Sequence, residues 1–119
     1  MAYIISFERV LEHERLMTRL TDLRTEAKTA SKHARADTAS PVLVLVAARL
    51  LDDIHRLISR EPGARALQRI HPGHPPRNEA LVTLLHDARL ALDLFEWNHR
   101  AHDDMHDDDD WITLESIQS

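Results

Sequence analysis

The chain has 119 residues, 43% of them apolar and 29% charged, with two Gly, five Pro, no Cys and a formal net charge of −5 at pH 7. This is the size and composition of one globular domain spanning 1–119; a chain of this length buries about 65–70% of the surface its unfolded form exposes, enough for one core and not for two. The length therefore excludes a two-domain enzyme, and the absence of Cys excludes a disulfide framework, a thiolate nucleophile, a thiolate zinc site and an iron–sulfur cluster.

The first seven residues, Met1-Ala2-Tyr3-Ile4-Ile5-Ser6-Phe7, carry no basic group and run straight into Glu8 and Arg9, which is not the pattern of a signal peptide. The longest apolar run, Val42 to Ala48, falls far short of the ~20 residues that span a bilayer. The expectation is a cytoplasmic protein with no membrane contact.

From Ser6, a plausible helix N-cap, a 3-4 spacing runs through Leu16, Leu20, Leu23, Ala27, Ala30 and Ala34, widened by Val10, Leu11 and Met17. This predicts one long helix over roughly 6–36. Ser40 and Pro41 then supply an N-cap and a first helical residue, and the apolar series from Val42 through Leu50, Leu51, Ile54, Leu57 and Ile58 predicts a helix over about 41–60. The run Val42-Leu43-Val44-Leu45-Val46 suits a strand by propensity, but the continuing 3.6 period assigns it to a helix apolar on nearly all sides, hence central. Glu61-Pro62-Gly63 ends it.

A short helix is expected at about 63–70, with Ala64, Leu67 and Ile70 facing inward. Three Pro and one Gly between His71 and Pro76 then enforce a loop. Asn78 is positioned to cap a last long helix whose seam is Leu81, Leu85, Ala88, Leu92 and Phe95, flanked by Leu84, Ala91 and Leu94. Continued in register, that helix delivers His99, His102 and His106 before the run Asp107-Asp108-Asp109-Asp110, where like charges and the helix dipole favour fraying. The expected fold is all-α: an antiparallel bundle of three long helices plus one short helix, with an acidic and apolar C-terminal tail over about 107–119.

Charge is divided along the chain. Residues 1–77 hold thirteen Lys/Arg and nine Asp/Glu, a net of +4, whereas residues 78–119 hold two Arg and eleven Asp/Glu, a net of −9. Such a split implies either attraction between the halves or a partner of opposite sign. Because the basic residues alternate with acids and form no stripe, direct nucleic-acid binding is not expected.

His99, His102 and His106, spaced i, i+3 and i+7, would share one helical face, and the His102/His106 pair has a spacing known for zinc and nickel. The simpler reading is a solvated helix end, since a metal site needs ligands from a second element and His13 alone occupies a comparable seam position. The ligand pairs of di-iron hemerythrins are not met, because His13, His55 and His86 are followed four residues later by Met17, Ser59 and Leu90. Asp103-Asp104-Met105-His106-Asp107 matches an aspartate-rich magnesium string, but no second acidic motif accompanies it. No phosphate loop, GxSxG or HExxH is present, so no catalytic residue and no obligatory cofactor is assigned.

In size, acidity, helical content and lack of catalytic groups the chain is similar to small inhibitor proteins made by phages and other mobile elements, which bind and block a host protein. The resemblance implies a non-catalytic protein–protein interaction module acting on a host protein with a basic surface. The residues expected to make that contact are Trp97, Asp103, Asp104, Asp107, Asp108, Asp109, Asp110 and Trp111, a negative field with aromatic anchors. The rival arrangement docks the tail on the chain's own Arg15, Arg19, Arg24, Lys28 and Lys32. The alternative function is a zinc- or nickel-responsive protein using His99, His102 and His106. A homodimer is also expected, through Leu20 and Leu23, because a helix of 31 residues would be about 46 Å long and would protrude from a compact domain of radius 13–14 Å.

Overall fold

Three α-helices carry the fold of this protein, and a computed structural model describes them over residues 6–71, 73–101 and 110–111. Helix α1 spans Phe7–Ala34, α2 spans Pro41–Ile58 and α3 spans Asn78–His99. Each begins for a local reason. Ser6 is extended, and its Oγ accepts from the Arg9 amide, satisfying one of the donors left over at a helix start. Ser40 does the same for the Leu43 amide, with Pro41 behind it at a position where its missing N–H costs nothing.

Asn78 departs from expectation. It is the first residue of α3 rather than its cap, and the Arg77 carbonyl accepts the first intrahelical bond, from Leu81. Its Nδ2 instead donates to the Ala34 carbonyl at 2.8 Å, closing the end of α1. The neighbouring backbone completes the junction: Asn78 N donates to Asp37 O and Glu79 N to Arg35 O, at 2.9 and 3.1 Å. Spare donors of one helix thus meet spare carbonyls of another, which ends α1 at Ala34.

The end of α1 meets the start of α3 at this junction, while His13, near the start of α1, reaches Leu92 near the end of α3. Arg9 of α1 likewise donates to the carbonyl of Leu57 at the end of α2. Helix α1 is therefore antiparallel to both neighbours, and α2 and α3 run in the same direction, so the arrangement is not antiparallel throughout. Residues 59–77 make the return. Their described residues include a 3-10 turn, Ala64–Ala66, in place of the expected helix, and Gly63 enters it at φ +82, a left-handed conformation that favours glycine. Ala64 and Leu67 point inward as expected, and Ile70 is partly buried.

The core is continuous along all three helices, from Leu16, Leu20, Leu23 and Ala27 of α1, through Leu43, Ala47, Leu50, Leu51 and Ile54 of α2, to Leu81, Leu85, Ala88, Leu92 and Phe95 of α3. Each fully buried Leu contributes roughly 1.5–3 kcal/mol relative to exposure. Two expectations change here. Leu20 and Leu23 are 1% and 4% exposed, so they belong to the chain's own core and cannot form a dimer contact. The reason is shape: the molecule is elongated, 51 × 27 × 20 Å, and α2 and α3 together line α1, whose 28 residues run about 42 Å, in one core. Helix α2 is likewise not central. Its N-terminal half buries Leu43 and Ala47 but leaves Val42, Leu45 and Val46 at the surface. No helix among the described residues is long and apolar enough to cross a membrane.

Candidate functional site

The described polar groups converge most closely at the end of the helices where α1 begins and α3 finishes. Phe95, fully buried, is flanked by two imidazoles: His13 stacks at 5.6 Å with 18° between the planes, and His99 lies tilted at 4.7 Å and 49°. The Arg9 guanidinium carbon lies 5.4 Å from the centroid of the same ring, a cation–π distance. Arg9 also donates to the Leu57 carbonyl, placing a cation where the dipole and spare carbonyls of α2 favour one.

Both histidines are buried and both are held by hydrogen bonds. His13 Nε2 donates to the Leu92 carbonyl at 3.0 Å, which selects the Nε2–H tautomer when the ring is neutral. Burial pushes the His13 pKa below its ordinary value of 6.5, against the opposing pull of the Leu92 carbonyl and the carboxylates of Glu96, Asp93 and Glu14. His99 Nε2 donates to Glu61 Oε1 at 2.7 Å, joining the end of α3 to the turn after α2. The cluster is a polar plug sealing the core, and its rings are occupied by packing.

This arrangement revises the histidine stripe. Helix α3 stops at His99, and residues 100–101 continue as a two-residue strand, β1 (Arg100–Ala101), antiparallel to β2 (Asp110–Trp111). His99 turns into the core instead of heading a solvent-facing row. In the sequence six Asp follow between 103 and 110, and a helix continued to them would end on negative charge, which its dipole disfavours. His102, His106, Asp103, Asp104, Asp107, Asp108 and Asp109 lie outside the described residues. Among the described residues no group of three or more His, Asp or Glu is placed to hold a metal ion.

Besides Phe7 and Leu11 at the start of α1, the exposed large apolar side chains among the described residues lie on α3 and α2. On α3, Leu90, Leu94 and Trp97 recur at i, i+4 and i+7, and Trp97 is 62% exposed. The remaining exposed positions of that helix are Glu79, Ala80, Thr83, His86, Asp87 and Asp93, so this face is apolar and acidic, with Asp93 paired to Arg89 at 3.0 Å and Glu79 to Arg35 at 3.5 Å. On α2, the exposed positions of the first half are Pro41, Val42, Leu45 and Val46, followed by Arg49, Asp52 and Arg56 in the second. Beside the first set lies a groove of about 560 Å³ lined by Ala39, Pro41, Val44, Ala48, Ile70 and Pro75 among others.

The sequence pattern puts Trp97 among the contact residues but assigns Leu94 to the flank of the core and Val42, Leu45 and Val46 to its centre. The signal for the α2 surface was present, because eight consecutive uncharged residues from Pro41 to Ala48 make a helix apolar all round. Compared with known protein families, curated proteins and solved structures, the chain matches none.

Proposed function

We propose that this protein is a non-catalytic interaction module that binds a host protein through the exposed face of α3 and the acidic segment that follows it, blocking a basic surface by occupancy. The observation that carries this reading is the alignment of Leu90, Leu94 and Trp97 on a helix face whose exposed carboxylates are Asp87, Asp93 and Glu79, the last two ion-paired with Arg89 and Arg35 at 3.0 and 3.5 Å. An apolar stripe with carboxylates at its rim is the anatomy of a docking site: the aromatic supplies short-range affinity and the carboxylates steer encounter and select the partner. The backbone pairing of Asp110–Trp111 with Arg100–Ala101 supports it by bringing that end of the aspartate segment back to the tail of α3.

The test is capture from a cell extract by the immobilised chain, repeated with a Leu90→Asp, Trp97→Ala variant, followed by affinity measurement on the purified partner at two salt concentrations. The partner is expected to carry a basic surface, to be lost from the variant, and to bind Trp97→Ala about thirtyfold more weakly, the effect of a hot-spot residue near 2 kcal/mol. Capture of the same proteins by chain and variant, with the same salt response, overturns the reading.

A further inference from the structure

The two short strands set the direction of the chain beyond α3. Arg100 pairs with Trp111 and Ala101 with Asp110, antiparallel, so the backbone that leaves Trp111 turns back along α3 instead of continuing away from its end. Helices α1 and α2 cover the inner side of α3, where Leu85, Ala88, Leu92 and Phe95 are buried. A segment returning along this helix therefore meets its outer side. The large apolar residues exposed there are Leu90, Leu94 and Trp97, at 53%, 47% and 62%.

The sequence after Trp111, Ile112-Thr113-Leu114-Glu115-Ser116-Ile117-Gln118-Ser119, matches that stripe in length, spacing and charge. An extended chain advances about 3.3 Å per residue and a helix about 1.5 Å, so eight residues reach about 26 Å, beyond the roughly 15 Å that separate Arg100 from Leu90. Counted back from the Arg100–Trp111 pair at the same rises, Ile112 comes level with Trp97 and Leu114 with Leu94, each to within about one residue. Being two apart, Ile112 and Leu114 share one side of an extended strand. Glu115 is the one ionisable side chain between 112 and 119, and Asp93, the exposed carboxylate beside Leu94, is paired with Arg89 at 3.0 Å, so little like-charge repulsion opposes the contact. The short tether also lowers the demand on affinity: its effective concentration is on the order of millimolar, so a contact of that strength is filled.

We infer that residues 112–119 lie along the outer face of α3 and seat Ile112 and Leu114 on the stripe formed by Trp97 and Leu94. The consequence rests on the docking role proposed for that stripe: the chain shields its own docking face, and a partner displaces the segment in order to bind. A segment seated about nine-tenths of the time leaves about one-tenth of the molecules competent and weakens the partner about tenfold.

The chain contains no Cys and two Trp, which makes the placement testable without a partner. Leu94→Cys is combined with Leu114→Cys or with Thr113→Cys in the full chain and oxidised mildly at micromolar concentration. The 94–114 pair is expected to close a disulfide within one chain roughly tenfold faster than the 94–113 pair, because neighbouring residues of a strand face opposite sides. Equal rates, a link between two chains, or a faster link from position 114 to Leu11→Cys on α1 overturns the inference. In a Trp111→Phe background Trp97 is the remaining indole, and Ile112→Ser, Leu114→Ser should raise its quenching by acrylamide with the helical circular dichroism retained. Unchanged quenching in the folded variant overturns the inference as well. With a captured partner, the same Ser substitutions should tighten binding about tenfold, and an unchanged affinity overturns the shielding. Trp97→Ala separates the two possible failures. If the 94–114 link forms as expected but the partner is indifferent to Trp97→Ala, the segment keeps its place on α3 and the docking role fails; if Trp97→Ala weakens the partner while the two link rates are equal, the docking role stands and the inference fails.

Discussion

The two ends of the helical unit are closed by different chemistry. Where α1 hands over to α3, the contacts are largely backbone to backbone: the Asn78 and Glu79 amides donate to Asp37 and Arg35 carbonyls, the Ala39 amide donates to the Pro76 carbonyl, and one neutral side chain, Asn78, reaches Ala34. At the opposite end the closure is made by side chains, with Phe95 held among His13, His99 and Arg9, and Glu61 fixed to His99. The first closure has nothing to titrate in its hydrogen bonds. The second buries His13, whose pKa is held below its ordinary value by burial, so this end couples the stability of the protein to pH.

The largest effect should come from Phe95→Ala. Removing a fully buried ring leaves a cavity and strips His13, His99 and Arg9 of their common surface, and the expected loss is about 3–5 kcal/mol, read by urea denaturation. If the loss stays under about 1 kcal/mol, the polar end is not closed by this ring.

Next is the pH dependence of stability. Burial holds the His13 pKa below 6.5, so the folded protein keeps this ring neutral where the unfolded chain would protonate it. His55, also on this half of the molecule, is lowered in the same direction by burial and by the Arg69 charge. Stability is therefore complete above about 6.5 and falls as pH drops through 6.5 towards the lowered values, because the unfolded state then binds more protons. His13→Gln keeps a donor for the Leu92 carbonyl but cannot titrate. Denaturation midpoints between neutral and mildly acidic pH should fall less steeply in this variant than in the unmodified chain, with the remaining slope due in part to His55. An unchanged slope would show that His13 does not link proton binding to folding.

The smallest effect is expected at the backbone end. Asn78→Ala removes the donor to Ala34 and should cost about 1 kcal/mol. Because the Asn78 Oδ1 is itself buried without a hydrogen-bond partner among the described residues, removing it offsets part of the loss. Thermal melts should show this decrement equally at every pH, and a pH-dependent decrement would dissolve the contrast between the ends.

Much of the architecture was legible in the chain because it rests on local rules. Ser6, Ser40 and Pro41 start helices by satisfying or omitting backbone donors, and the seams Leu16-Leu20-Leu23-Ala27 and Leu81-Leu85-Ala88-Leu92-Phe95 repeat with helical period and are buried as that period requires. The segment 71–76 could be nothing but a connection, since Pro has neither the N–H nor the freedom of φ to continue a helix.

What only the tertiary structure decided depends on groups far apart in sequence. Whether Asn78 serves its own helix or the end of α1 turns on a carbonyl 44 positions away. His99 leaves the expected histidine row for the core because Glu61, 38 positions back, offers it an acceptor. Leu20 and Leu45 are the same residue type in helices of apolar seam, yet one is buried and the other exposed. Periodicity tells which side chains share a face, while the number of neighbours that arrive to cover that face is set by the direction of α2 and α3 and by the path of 59–77 between them, through interactions that no local pattern encodes.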